Sequence, residues 1–322
     1  MISLNDVLAA RERIAGKVHR TPVLSATRLG APAGVSLLLK CELFQKTGAF
    51  KVRGALNALL SMDEAAKNRG VITVSAGNHA QAVAYAAKLT GAKATVVMFE
   101  GAPRSKVEAS RGYGAEVVLF GASGLQSFVK ARELEKERGL TFVHPFDDLA
   151  VAAGAGTVGL EIVEDVENID VLVVSIGGGG LMSGVATAVR AMSPRTRIVG
   201  VEPIGASAMR KSLDAGHPVK LERIDTFADG LSAPWAGELT YPIIRKLVDD
   251  VILVSDDEIR EAMRQIMTSA KLVAEPAAAA TVAAILTGRV GAKKGDRVVA
   301  VLSGGNVDLS RIAEVAGSTS PG

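Results

Sequence analysis

Lys51 closes the stretch Gln45-Lys46-Thr47-Gly48-Ala49-Phe50-Lys51 and leads into Val52-Arg53-Gly54-Ala55. Small residues, an aromatic ring and an apolar continuation can remove such an amine from water. Desolvation lowers a lysine's pKa and makes the neutral amine available. A neutral amine condenses with an aldehyde to a Schiff base. Set against that chemistry is the ordinary fate of lysine, a solvated charge on the first turn of a helix. Three further segments bear on the choice.

Ser175-Ile176-Gly177-Gly178-Gly179-Gly180-Leu181 follows the β-branched run Val171-Leu172-Val173-Val174 and precedes a helical stretch from Met182 to Met192. Strand, four glycines and helix form a cup for phosphate. Backbone N–H groups converge there, and the helix N-terminus adds partial positive charge. The spacing is neither G-x-G-x-x-G nor a Gly-Lys-Ser/Thr loop, which disfavours a dinucleotide and a nucleoside triphosphate. Ser75-Ala76-Gly77-Asn78-His79-Ala80-Gln81 lies between the strand-like Val71–Val74 and a small-residue helix from Ala82 to Leu89. A polar turn opening a helix offers donors to a carboxylate, although Ser75 or Asn78 as a plain N-cap would read the same way. Ser303-Gly304-Gly305-Asn306 follows the apolar run Val298–Leu302.

In order and spacing, these four segments resemble the fold type II pyridoxal-phosphate enzymes, in particular the threonine/serine dehydratase and serine racemase group. The resemblance extends over nearly the whole chain through HRTPV at 19–23, YGAEVV at 113–118, HPFDD at 144–148, FADG at 227–230 and LVDDVILVSDDEI at 247–259. It implies a tryptophan synthase β-like α/β fold of two lobes, each with a mainly parallel sheet flanked by helices. Residues 1–68 and 149–322 would form the large cofactor-binding lobe and residues 69–148 a small mobile one. The implied cofactor is pyridoxal 5'-phosphate. Lys51 would carry it and serve as the catalytic base, with Phe50 against one ring face and Asn78 on the 3'-oxygen. Gly177, Gly178, Gly179, Gly180 and Leu181 would hold the phosphate, and Ser303 would face the pyridine nitrogen. The turn Ser75, Ala76, Gly77, Asn78 and His79 would receive the substrate carboxylate. The implied activity is loss of water and ammonia from a 3-hydroxy amino acid, L-threonine or L-serine first. A different 3-hydroxy amino acid, such as hydroxyaspartate or a bulkier one, or racemisation is the alternative. A homodimer is also implied.

Departures from the group's pattern sharpen this. Serine racemases usually have a second Ser where Ala76 stands, and racemisation needs a proton donor on each face, so elimination is favoured. A divalent-cation site in the racemase group would draw on Glu202, a carbonyl near Ala206 and an acid where Ala208 stands. One carboxylate is a poor set for a hard cation, so no metal is expected. Glu275-Pro276 matches a family element, but Ala277-Ala278 follows it. Glu275 either lies near the cofactor ring or caps the helix Ala277–Ile285; the sequence leaves both open. Ala155 and Leu43-Phe44 also depart from the pattern and suggest a substrate bulkier or more apolar than threonine. His79 reads as a donor that fixes its loop rather than as a general acid. Trp235 suits either an entrance or a subunit contact. Sulfur-replacement enzymes of the same fold usually carry a Thr in the phosphate loop and SGNTG in the asparagine loop, unlike GGGGL and SAGNHA here. A non-catalytic binding protein would have little reason to keep Lys51, Asn78, the glycine cup and Ser303 together.

The supporting elements follow from the alternation of short apolar runs with longer helical patterns. Strands are expected at Val71–Val74, Ala94–Phe99, Glu116–Phe120, Val171–Ile176, Ile198–Glu202, Val251–Val254 and Val298–Leu302, and helices at Leu125–Arg138 and Asp257–Leu272. That pattern predicts parallel sheets covered by helices on both faces. At 322 residues the chain is long enough to divide its core. The net charge of +3, with both signs scattered, gives no basic patch for nucleic acid. The single cysteine, Cys41, excludes an intrachain disulfide and reads as packing in a strand. Neither a leader pattern at the N-terminus nor an apolar run of membrane-spanning length is present in the sequence, so the expectation is a cytoplasmic enzyme.

Overall fold

The computed structural model describes residues 1–317. Its described residues form ten strands: β1 (Val23–Ser25), β2 (Ser36–Cys41), β3 (Val71–Val74), β4 (Ala94–Met98), β5 (Glu116–Leu119), β6 (Thr141–Phe142), β7 (Val171–Ser175), β8 (Arg197–Pro203), β9 (Asp250–Val254) and β10 (Arg297–Leu302). A six-stranded sheet has the order β1-β2-β10-β7-β8-β9 and a four-stranded sheet the order β5-β4-β3-β6. Only β1 pairs antiparallel, with β2. Helical crossovers impose this, since parallel neighbours cannot be joined by a tight turn. In the large sheet Val299 lies beside Leu38 and Leu172, and in the small sheet Ile72 lies beside Thr95 and Phe142. The α/β class with mainly parallel sheets is therefore the observed one.

Each expected strand is present, with ends shifted by a residue or so. The two-residue β6 is too short to show a pattern in sequence. The helix expected over Asp257–Leu272 starts at Asp256, because Ser255 and Glu258 form a reciprocal cap. It stays α-helical only to Gln265, passes through a π-helical turn at Ile266–Ala270, and ends at Lys271 in a left-handed conformation (φ 60°).

Both faces of the large sheet are buried, which is why its strands read as continuous apolar runs. Val171, Val173, Val298 and Ala300 pack into one core; Leu172, Val174, Val299 and Val301 pack into another on the opposite face. Cys41 is buried in the first of these, and burial pushes its thiol up to about 12, in keeping with a packing role. A buried ionic cluster fixes the Lys51–Ser61 helix. Arg53, on its first turn, bonds Glu42 (Nε–Oε2 2.8 Å) and Glu161 (Nη1–Oε1 2.7 Å), and Lys40 Nζ donates to Glu161 at 2.6 Å.

Candidate active site

A cavity of about 1150 Å³ opens where the C-terminal ends of strands from both sheets meet. Parallel sheets bind ligands at this end because helix N-termini and turn amides converge there. Ser75 follows β3, Gly177–Gly180 follow β7 and Ser303 follows β10, and all line the cavity with Lys51 and Asn78. The structure thus brings together residues as far apart in the sequence as Lys51 and Ser303.

Lys51 begins its helix, and the Phe50 N–H donates to the Ser303 carbonyl at 3.0 Å, tying this helix start to the end of β10. The Lys51 ammonium donates to the Pro145 carbonyl at 2.7 Å and lies 5.2 Å from the centre of the Phe50 ring. Burial pulls Lys51 down to about 8, with Glu275 opposing the shift. A usable fraction of neutral amine therefore exists near neutral pH. Ser303 is buried, and its Oγ makes no hydrogen bond among the described residues.

The glycine turn ends in the Gly180–Met192 helix. Gly179 has φ 97°, a conformation that glycine adopts freely, and a Cβ on Gly178 would lie 2.1 Å from the Phe146 ring. Thr240 Oγ1 donates to the Gly178 carbonyl at 2.6 Å and holds the turn. The N–H groups of Gly177, Gly178, Gly179, Gly180 and Leu181 donate to nothing among the described residues. Five unpaired amides at a helix N-terminus make an anion site.

The Asn78–Thr90 helix opens on a similar turn. Gly77 N–H donates to Ser75 Oγ at 3.1 Å, while the Ala76, Asn78 and His79 amides have no acceptor among the described residues. Asn78 Nδ2 donates to both Glu275 oxygens at 2.9 Å. Glu275 occupies the N-cap position of the Pro276–Leu286 helix, yet its side chain makes no capping bond and turns into the cavity instead. The helix-capping reading is therefore not what the structure shows. Burial pushes Glu275 up to about 7 against the pull of the Asn78 amide.

Asn306 was not singled out by sequence reasoning. Its Nδ2 donates to Thr47 O (2.7 Å) and Asn78 Oδ1 (2.9 Å), and its own carbonyl accepts from Lys106 Nζ at 3.0 Å. Its place at the end of the Ser303-Gly304-Gly305-Asn306 motif was the available signal. Pro145 lies in the HPFDD stretch without having been given a role, and nothing in the sequence marked Lys106.

His79 is buried. Its Nε2 lies 3.2 Å from the Val143 carbonyl, Nδ1 has no partner among the described residues, and burial holds the ring well below its ordinary pKa. The neutral ring thus donates through Nε2 and anchors the loop. Trp235 lines the cavity. Among the departures, Ala76 and Ala277 face the cavity, but Ala155, Leu43 and Phe44 do not. Ala155 sits in the core behind the large sheet, Leu43 packs at the edge of the other core and Phe44 is exposed, so these three give no ground for an altered substrate. Both Glu202 oxygens accept helix amides, from Met209 at 2.8 Å and Arg210 at 2.7 Å, and burial pushes the carboxyl up to about 8. No cluster of metal-ligating side chains occurs among the described residues.

The sequence profile of the pyridoxal-phosphate dependent enzymes matches residues 14–304. The chain belongs to that family. It is 40% identical to the catabolic L-threonine dehydratase TdcB of Escherichia coli, over 98% of this chain and 96% of that protein. Identity to an L-threonine ammonia-lyase of Geobacter sulfurreducens is 44%, over 98% of this chain and 78% of the relative. The fold superposes on maize serine racemase with a TM-score of 0.93 at 41% identity, covering 98% of this chain and 96% of the other. Pyridoxal phosphate is the cofactor of the family, and this cavity has the matching complement: a desolvated lysine, a cup of unpaired amides and a free hydroxyl.

Proposed function

We propose that the chain eliminates water from a 3-hydroxy amino acid, L-threonine or L-serine first, giving a 2-keto acid and ammonia. The observation that carries this is the Lys51 amine, pulled down to about 8 beside an unpaired-amide cup in one cavity. Relatives named L-threonine dehydratase and L-threonine ammonia-lyase support it.

Bound pyridoxal phosphate supplies a carbonyl carbon for condensation with amines and a ring that accepts the electron pair left at Cα. The amides of Gly177 to Leu181 would hold its phosphate, Lys51 its carbonyl carbon, Asn78 and Phe50 its ring, and Ser303 its nitrogen. A hydroxyl at that nitrogen stabilises a carbanion less than a carboxylate would, which suits prompt departure of the β-hydroxyl. Glu275 acts through the Asn78 amide it accepts from. The Ala76, Asn78 and His79 amides bind the substrate carboxylate and orient the Cα–H bond. Lys51 then removes the Cα proton. Ala76 offers no hydroxyl on this wall, which favours elimination over racemisation.

We further propose that residues 69–148 form the smaller, moving lobe and residues 1–68 with 149–322 the larger. A homodimer in the cytoplasm completes the reading by family resemblance. Among the described residues no helix is long and apolar enough to cross a membrane.

The test is 2-keto acid release from cofactor-loaded protein across L-threonine, L-serine, hydroxyaspartate and a bulkier 3-hydroxy amino acid. Lys51→Ala should abolish both release and the cofactor's visible absorbance; keto-acid release at the wild-type rate from that variant would sink the assignment.

A further inference from the structure

An amide side chain has an accepting oxygen and a nitrogen that donates twice, and turning it over exchanges them with little change of shape. Which of the two Asn78 shows to the cavity is therefore set by its partners. Those partners lead back to an acceptor that cannot reverse its role, the backbone carbonyl of Thr47.

Thr47 has φ 62°, a conformation rare for a β-branched residue. Its carbonyl faces Asn306. A carbonyl only accepts, so the Asn306 atom 2.7 Å away is Nδ2. The second N–H of that nitrogen points at Asn78, so the Asn78 atom 2.9 Å away is Oδ1. Asn78 Nδ2 is then left on the other side, where it donates to both Glu275 oxygens at 2.9 Å. A reversed Asn78 would set its oxygen against the Glu275 carboxylate, acceptor against acceptor. The polarity of the whole series thus runs one way, from Thr47 through Asn306 to Asn78.

Asn306 is itself held in place. A Cβ on Gly48 would lie 2.3 Å from Asn306 Oδ1, so the side chain rests against bare backbone. Gly305 N–H donates to the Gly48 carbonyl at 2.9 Å. From the helix after β4, Lys106 Nζ donates to the Asn306 carbonyl at 3.0 Å and Ser105 Oγ donates to Asp308 Oδ1 at 3.1 Å. Thr47 follows β2 and Asn306 follows β10 of the six-stranded sheet, whereas Asn78 follows β3 of the four-stranded one. Asn306 therefore carries its orientation across the cavity from one sheet to the other.

We infer that Asn306 is a positioning residue: it takes its polarity from the Thr47 carbonyl and fixes the Asn78 amide so that N–H groups, not the oxygen, face Glu275 and the 3'-oxygen of the cofactor. Asn78 Nδ2 has two N–H groups, enough to keep one Glu275 oxygen and to serve the cofactor as well. The inference rests on the placement of Asn78 at the cofactor ring proposed above and deepens it.

The experiment titrates cofactor-free protein with pyridoxal 5'-phosphate and records affinity and visible spectrum in the wild type, Asn306→Ala, Asn306→Asp, Asn78→Ala and the Asn78→Ala/Asn306→Ala double variant. Asn306→Ala should weaken cofactor binding about fivefold, the scale of one hydrogen bond, and move the visible maximum in the same direction as Asn78→Ala. Asn306→Asp keeps the shape beside Gly48 but accepts where Asn306 donates, so it should act at least as strongly, and it carries the test if Asn306→Ala does not fold. In the Asn78→Ala background, Asn306→Ala should change neither readout further, the non-additivity of residues acting through one contact. Reduced stability with wild-type affinity and spectrum, or effects that simply add to those of Asn78→Ala, would show a structural clasp and overturn the inference. An Asn78→Ala holoenzyme with wild-type affinity and spectrum overturns both the placement of Asn78 and the inference. A holoenzyme of normal absorbance that releases no 2-keto acid from any 3-hydroxy amino acid overturns the elimination reading alone, since the titrations decide the role of Asn306 without turnover.

Discussion

Arg53→Met tests how the helix that starts with Lys51 is held. Arg53 is wholly buried and makes four hydrogen bonds to carboxylates, two to Glu42 at 2.8 Å and two to Glu161 at 2.7 and 2.9 Å. Methionine fills much of the volume but removes the charge. Glu161 would keep Lys40 at 2.6 Å, whereas Glu42, also wholly buried, would keep only the Thr21 hydroxyl as a direct partner. Breaking a buried pair in this way costs about 3–5 kcal/mol, because one charge is left without a partner. At roughly 2–4 °C per kcal/mol the melting temperature should fall by roughly 6–20 °C. The pH dependence gives the sharper check. Arg53 holds Glu42 below the usual carboxylate range. In the wild type that stabilisation is present above the unfolded carboxylate pKa and is lost as pH falls through the lower folded one. In the variant, burial without Arg53 raises Glu42, so stability is lost as pH rises above the unfolded value. The gap between the two proteins should therefore be wide at about pH 8 and narrow at about pH 4.5. Adding Glu42→Gln to the variant should recover part of the loss. Thermal unfolding at both pH values reads each of these. An equal gap at the two pH values, with Glu42→Gln adding its own full penalty, would refute the unpaired-carboxylate argument.

Three further outcomes are expected. The rate at which cofactor-free protein captures added pyridoxal phosphate should rise through a midpoint of about 8, because burial lowers Lys51 and only its neutral amine condenses; a midpoint at the ordinary lysine value of 10.5 would contradict this. Gly178→Ala drives a methyl to within 2.1 Å of the Phe146 ring, so cofactor affinity should drop and stability fall by about 1–3 kcal/mol, read by titration and denaturant unfolding; wild-type affinity would mean that the cup is not the phosphate site. Glu202, pushed up to about 8 by burial, favours the folded state fully below the unfolded carboxylate pKa and progressively less as pH rises toward 8. Glu202→Gln should flatten that decline, and an unchanged slope in urea midpoints against pH would count against the assignment.

The main outlines of fold and site were legible because they depend on local pattern. Continuous apolar runs mark strands buried on both faces, and the glycine run marks a strand-to-helix turn wherever it is placed. Glu275 shows where this stops. Its position before Pro276 is that of an N-cap, and only the packing of the Asn78 loop against it turns the carboxylate into the cavity. Leu43, Phe44 and Ala155 show the converse: departures near site motifs in sequence point away from the cavity once the chain folds.

By itself, the sequence determined the α/β class, the desolvated lysine and the glycine turn that can cup an anion, since each is written in contiguous residues whose backbone preferences are short-range; the kind of cofactor came from the family resemblance. Tertiary structure alone decided that Pro145 receives the Lys51 amine, that Asn306 joins Thr47 to Asn78, and that Phe128, His144, Phe146 and Trp235 pack against one another. Those residues come from separate helices and loops. Their meeting depends on how the two sheets approach one another, a long-range packing outcome that no local periodicity encodes.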